Sequence, residues 1–381
     1  MNEIQGPIFT DARPDGLISH IRERLEHDLS RVRQRMRSLA EPPNKKVRSP
    51  ILYGVENTGR LFRPTLVLVS SYLVEKEHNA ETSQHVIDAA ATVELLHIAT
   101  LYHDDLIDDA ATRRGLPTAS VKYGNSIALL TGDYLLARCM QVAATLGNEH
   151  TLLVSETLAQ ACMGQILETS QIYDPVRSEA DYLTAISGKT AYLMRTCTSL
   201  GALQCGASRE AQDALASFGH DLGMAFQIWD DILDFSGHDG TDKTGKEPAQ
   251  DLVNGVYTLP VIYAIQDLPE HLRSALGQPP LSVEHRRDIL AVLHESGAID
   301  RAADLARRHI TNAIQTVKTH PSFEARAPLV ERCLLDLVSR LAPKHPALQM
   351  LITGPDADGW AEHGDWAMSG TNLPTVSRTD E

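Results

Sequence analysis

Apolar residues along this chain recur at spacings of three and four, and almost nowhere at two. Leu17, Ile18, Ile21, Leu25, Leu29, Val32, Met36 and Leu39 form the first such run, with arginines opposite, and predict an amphipathic helix over residues 17–40. Pro42-Pro43-Asn44 ends it. A second helix opens at Gly59-Arg60-Leu61-Phe62-Arg63-Pro64, with Pro64 suited to a first helical position, and a long one covers about 82–109. The same period returns near 125–147, 151–172, 178–203, 208–235, 256–266, 284–296, 298–317 and 325–341. No run alternates as a half-buried strand would, and there is no hairpin signal. Residues 268–280 read as a loop or short helix. The fold expected is all-α, a single large helical bundle. Residues 1–16 read as a flexible lead-in, 17–350 as the domain, and 351–381, rich in Gly, Asp, Ser and Thr, as a disordered tail.

Composition narrows the function. A hydrophobic content of 43% supplies an ample core for 381 residues. The formal net charge of −15 argues against a nucleic-acid surface and against general attraction to anionic membranes. A phosphorylated substrate would therefore have to be drawn in by local Arg, Lys and metal. Cys139, Cys162, Cys197, Cys205 and Cys333 are odd in number and lack C-x-x-C spacing, which fits reduced thiols in a cytoplasmic protein. No signal peptide is evident at the N-terminus. The most apolar stretch, about 86–102, is interrupted by Asp88, Glu94 and His97, so no membrane span is expected. The Lys45-Lys46-Val47-Arg48 run reads as solvated.

The chemistry gathers in two acidic runs. Leu101-Tyr-His-Asp-Asp-Leu-Ile-Asp-Asp109 puts Asp104 and Asp108 one helical turn apart on one face, with Asp105 beside them. Like charges at that spacing destabilise a helix, and a hard divalent cation would relieve them. Mg²⁺ suits carboxylate oxygens and commonly bridges one or two of them to substrate phosphates. A single cluster could equally be a solvated acidic face. The pattern repeats, however, in Gln227-Ile-Trp-Asp-Asp-Ile-Leu-Asp-Phe235, as Asp230, Asp231 and Asp234. The arrangement expected is two helices facing across a central cavity, with metal between them. Arg60 and Arg63 at a helix start add a weaker anion-binding signal.

These two helices, with Arg113-Arg114-Gly115 after the first and Gly245-Lys246 after the second, resemble the trans-isoprenyl diphosphate synthases, the polyprenyl synthetase family. The resemblance covers roughly residues 20–345. It implies the isoprenoid synthase fold, a homodimer, and Mg²⁺-dependent ionisation of an allylic diphosphate whose cation alkylates isopentenyl diphosphate head-to-tail. It implies metal on Asp104, Asp108 and Asp230, with Asp105, Asp231 and Asp234 completing the clusters. Arg113, Lys189 with Thr190, Gln227 and Lys246 fall on the allylic diphosphate; Arg60, Arg63, His97 and Arg114 fall on isopentenyl diphosphate. Outside this set, His97 would read as a core histidine, Lys189 as a surface lysine and Thr190 as a cap. The departing diphosphate is expected to take the proton, so no side-chain base is nominated.

Two departures from the family pattern bear on isopentenyl diphosphate. Where the family has Gly-Gly-Lys-Arg-Leu-Arg-Pro, this chain has Thr58-Gly59-Arg60-Leu61-Phe62-Arg63-Pro64. Where it has Gly-Lys-x-Thr-Leu-Pro, this chain has Gly255-Val256-Tyr257-Thr258-Leu259-Pro260. Ala99 and Thr100, five and four residues before Asp104, point back along the helix towards the growing product. Bulky aromatics there form a floor in short-chain members, so these small residues imply a geranylgeranyl or longer product. The rival readings are a class I terpene cyclase acting on an allylic diphosphate alone, a non-catalytic partner subunit, and a di-iron bundle using Glu75-x-x-His78 and Glu94-x-x-His97.

Overall fold

The computed structural model describes residues 14–75, 81–235 and 249–326. Helix α1 (Pro14–Ala40) buries Leu25, Leu29, Val32 and Met36, part of the stripe its spacing predicts. A 3-10 turn (Lys45–Val47), capped by the Asn44 side chain, leads into α2 (Arg48–Glu56), which the apolar period does not single out. Helix α3 (Phe62–Val74) is followed by α4 (Gln84–Ile107), whose first turn is capped by Ser83 Oγ accepting from the Val86 N–H at 3.3 Å. Then come α5 (Ala119–Tyr123), α6 (Asn125–Leu146) and α7 (Asn148–Ser170). Helices α8 (Glu179–Ile186) and α9 (Tyr192–Gln204) flank a π-helical turn at Ser187–Ala191. The long α10 (Arg209–Leu233) carries the second acidic cluster. Helices α11 (Gln250–Val253), α12 (Leu259–Ala264), α13 (Glu270–Leu276), α14 (Val283–Glu295) and α15 (Ala298–Lys318) follow, and a 3-10 turn ends at Arg326.

Helix α10 packs between α9 and α15, while α4 packs on α1, α3, α6 and α9. Ion pairs tie helix α1 across, among them Arg24 to Glu75 at 2.8 Å and Arg35 to Asp88 at 2.7 Å. Its buried Asp28 accepts from the Tyr72 hydroxyl at 2.8 Å. Helices α11 to α14 bury a further apolar cluster that includes Leu252, Leu272, Ile289 and Leu293.

Several sequence expectations need correction. A two-residue ladder, β1 (Thr112–Arg113) with β2 (Leu116–Pro117), forms a hairpin. Its loop, Arg114-Gly115, has φ of 52° and 76°, the doubly left-handed turn that matches strand twist but normally announces itself as Asn-Gly. Pro64 is the third residue of α3, not the first; its missing N–H still falls among the donors a helix start leaves unpaired. The helix expected at 178–203 is interrupted by the π turn. Among the described helices α6, not the 86–102 stretch within α4, is the one long and apolar enough to cross a membrane by length and composition. Most of the helix expected at 325–341, residues 1–13, the tail 351–381, Lys246 and Cys333 lie outside the described residues. The other four cysteines are free thiols, with Cys139 and Cys197 buried.

Candidate active site

The last turn of α4 presents Asp104 and Asp108 on one face, and turns Asp105 inward, where it is 7% exposed. The hairpin then folds the chain back, so that Arg113 Nε donates to Asp105 Oδ1 at 2.6 Å. Asp104 is pushed up to about 6, first by burial and then by Asp108 and Asp105, against Lys189 and Arg113. Burial also raises Asp108, with Glu168 adding to it and Lys189 opposing.

Lys189 comes from the π turn, which is pressed against α7. A Cβ on Gly188 would lie 2.5 Å from the Gln160 carbonyl, and one on Gly164 would lie 2.5 Å from Lys189 N. This close approach lets Lys189 Nζ pair with Glu168, one turn beyond Gly164. Burial pulls the ammonium down, but Glu168, Asp104 and Asp108 outweigh it and hold Lys189 above its ordinary value.

In the second cluster Asp231 is buried, and both of its oxygens are held by the protein. Tyr182 OH donates to Oδ2 at 2.6 Å and Gln227 Nε2 to Oδ1 at 2.8 Å. Gln227 Oε1 in turn accepts from Thr190 at 2.7 Å. Burial raises the Asp231 carboxyl well above the usual range despite these donors. Asp230 is exposed. Asp234 accepts from the Gln250 and Asp251 N–H groups at 3.3 and 3.1 Å, and so anchors the start of α11. That anchoring brings in Asp251, pushed up to about 7 by burial and then by Asp234, Glu168 and Asp230. Lys189 acts on Asp104 and Asp108 of the first cluster and on Asp251, which neighbours Asp234 of the second. Glu168 and Asp251 escaped the sequence reading because each is a lone acid outside any repeated pattern.

A second, basic group lies beside the α3 N-terminus. Arg114 Nη1 donates to the Asn57 carbonyl at 3.2 Å, and its guanidinium lies against Gly59, where a Cβ would sit 2.9 Å from Cζ. Arg63 is desolvated, which lowers it, and faces the buried Glu94. Glu94 Oε1 accepts from Thr58 at 2.9 Å. His97 is held well below its ordinary value by burial and by Arg63, Arg114 and Arg113, so its imidazole is neutral. Arg60 is exposed, and Phe62 stacks on Phe226 of α10 with ring centroids 6.3 Å apart. Leu61 is left-handed, with φ of 54°, and 1% exposed, so the residue that departs from the family pattern points into the core rather than into this group. Val256 is half-buried.

Ala99 is fully buried, and the half-buried Thr100 bonds back to the His97 carbonyl at 2.9 Å. Tyr102 is held against α2, donating to the Pro50 carbonyl at 2.7 Å and accepting from Gly54 N at 2.9 Å. His103 packs on Gly132 of α6. The di-iron reading is not supported where it is described: Glu75 is paired to Arg24 and Glu94 accepts from Thr58, while His78 lies outside the described residues. Among the described residues no three Asp, Glu, His or Cys groups converge as a complete protein cage for a metal ion. The donors fit instead a hard divalent cation that takes one or two carboxylates and completes its shell from water and substrate phosphate. The raised, mutually repelling Asp104 and Asp108 supply that carboxylate pair.

The chain is 34% identical over 316 residues to heptaprenyl diphosphate synthase component 2 of Geobacillus stearothermophilus, covering 81% of this chain and 95% of the relative. It is 33% identical to the nonaprenyl diphosphate synthase of Mycobacterium tuberculosis, covering 83% and 92%. Among solved structures, a polyprenyl synthase from Caulobacter crescentus complexed with calcium and isoprenyl diphosphate superposes with a TM-score of 0.71 at 26% identity, covering 86% of this chain and 98% of that one. A decaprenyl diphosphate synthase from Rhodobacter capsulatus gives 0.72 at 27% identity, covering 85% and 99%. The profile of the polyprenyl synthetase family matches residues 44–293, and the chain belongs to that family.

Proposed function

We propose that this prenyltransferase condenses an allylic diphosphate with isopentenyl diphosphate, head-to-tail, to a medium or long trans-polyprenyl diphosphate, as a Mg²⁺-dependent cytoplasmic homodimer. The observation that carries the reading is Lys189, which faces Asp104 and Asp108 of the first aspartate cluster and also acts on Asp251, whose N–H is held by Asp234 of the second. Mg²⁺ held by Asp104, Asp108 and Asp230 would supply Lewis-acid neutralisation of the leaving diphosphate. Lys189 and Arg113 would orient that diphosphate, with Thr190 and Gln227 bracing the second cluster behind it. Arg60, Arg63, Arg114 and neutral His97 would hold isopentenyl diphosphate, His97 through a ring N–H. The fixed positions of the two groups favour attack by the isopentenyl double bond on the allylic carbon. The proton then leaves to the departing diphosphate.

Product length follows the relatives, which are named as heptaprenyl, octaprenyl and nonaprenyl synthases, and the small Ala99 and Thr100 agree with it. The cyclase reading is not favoured, since the second cluster is a full Asp-Asp-Ile-Leu-Asp and a basic group stands ready for a second diphosphate. The homodimer draws support from an exposed apolar stripe with seven-residue spacing. It comprises Leu130, Ala137 and Ala144 on α6, and Leu152, Ala159 and Ile166 on α7.

The test is incubation with Mg²⁺, isopentenyl diphosphate and dimethylallyl, geranyl, farnesyl or geranylgeranyl diphosphate in turn, with products read by mass. Elongated diphosphates longer than farnesyl, abolished by Asp104→Ala, are expected. Hydrocarbons or alcohols formed from the allylic diphosphate alone would instead establish the cyclase.

A further inference from the structure

The two carboxylate oxygens of Asp231 have no freedom to turn. One accepts from Tyr182 on α8 at 2.6 Å, the other from Gln227 at 2.8 Å, and Gln227 is itself fixed by Thr190 at 2.7 Å. Tyr182 is 1% exposed, so its hydroxyl has no water to fall back on. Its ring is held from behind by Arg177, also buried, whose guanidinium carbon lies 5.6 Å from the ring centroid while Nη1 donates to the Tyr257 carbonyl at 3.0 Å. The helix that bears Tyr182 runs straight into the π turn that bears Lys189 and Thr190. It therefore reaches Asp231 twice, directly through Tyr182 and through Thr190 and Gln227.

We infer that Tyr182 is a positioning residue for the second aspartate cluster: through Asp231 it fixes the backbone turn from which Asp230 faces the metal–diphosphate site. Groups that hold a metal-binding cluster from behind its ligands commonly set metal affinity, and their removal costs roughly 10–100-fold. A hydroxyl serving stability alone would leave that affinity unchanged. The inference rests on the metal–diphosphate reading of the site.

The experiment measures Mn²⁺ binding in the presence of inorganic pyrophosphate, from the electron paramagnetic resonance signal of free Mn²⁺. Wild type is compared with Tyr182→Phe and with Tyr72→Phe. The Tyr72→Phe control removes a buried Tyr–Asp bond of the same kind, 2.8 Å long, between α3 and α1. Tyr182→Phe is expected to weaken Mn²⁺ binding about tenfold and to raise the Mg²⁺ needed for half-maximal turnover, with the KM for isopentenyl diphosphate unchanged. Tyr72→Phe is expected to keep wild-type Mn²⁺ affinity. In an Asp231→Asn background, Tyr182→Phe should add nothing further, because its effect passes through Asp231. The inference is overturned if Tyr182→Phe binds Mn²⁺ as wild type does, if Tyr72→Phe loses as much, if the loss persists beside Asp231→Asn, or if Tyr182→Phe does not fold. A wild-type chain that binds no Mn²⁺ would overturn the diphosphate reading as well, which separates the two failures.

Discussion

Asp104 carries its charge at a cost to the folded chain. Its carboxyl is pushed up to about 6 from an ordinary 3.8, so between those values the folded state holds a proton that the unfolded state has released. Stability therefore falls as pH rises from about 4 to about 6, and stays lower above that. Each pKa unit is worth about 1.4 kcal/mol, and the half-buried position of Asp104 reduces the full shift to about 1–2 kcal/mol. Asp104→Asn should accordingly stabilise the chain in EDTA at pH 7 by that amount, measured by urea unfolding, with the gain closing towards pH 4. Equal stability of the two chains at pH 7 would mean that neither burial nor the neighbouring carboxylates disfavour the Asp104 charge. Repulsion between like charges one turn apart, the smaller part of that shift, is what made Asp104, Asp108 and the second cluster legible in the sequence, because it requires an external explanation. His97 and Lys189 were legible only as members of the family set. Glu168 and Asp251 were not legible, since their roles arise from a helix contact at Gly164 and from the cap that Asp234 places on α11.

At the scale of elements, the apolar period found the long helices and missed what joins them. One residue inserted into a helix barely disturbs the apolar stripe, so the π turn at Ser187–Ala191 left no mark in the pattern. The hairpin loop was hidden for a different reason: Arg114 occupies a left-handed position that a turn usually gives to Asn or Asp. Both irregular pieces carry residues proposed to face substrate, and functional sites are where local rules are most often broken. The π turn is the more exacting of the two, because it depends on a Gly188–Gly164 contact too close for any side chain. Gly188→Ala should push the turn off α7 and part Lys189 from Glu168. The expected cost is about 1–3 kcal/mol in stability. A tenfold or greater fall in kcat/KM for the allylic substrate should accompany it, with the KM for isopentenyl diphosphate little changed. A matched fall for both substrates would show that the turn serves the bundle as a whole.

For the whole molecule, the fold was legible because nearly every long apolar stretch has helical period and the two acidic helices must face each other. What the period did not convey is that α6 and α7 are only half covered. Helix α6 packs on α4 and α7 yet leaves Leu130 64% exposed, and α7 leaves Leu152 and Ile166 each 67% exposed. Scattered exposed leucines need no explanation, but exposed apolar residues at seven-residue spacing on two adjacent helices do. A second copy of the same stripe, related by a two-fold axis, would bury it without leaving an open end. The carboxylate helix α4 packs directly on α6, so such an interface would also brace the first aspartate cluster from behind. Light scattering should then give twice the chain mass for wild type, and Ile166→Glu, which sets two buried charges against each other across the axis, should give a monomer with reduced activity. A monomeric wild type that gains activity only with a different protein bound would assign the stripe to that partner, and a wild type that needs lipid or detergent to stay dispersed would assign it to a membrane.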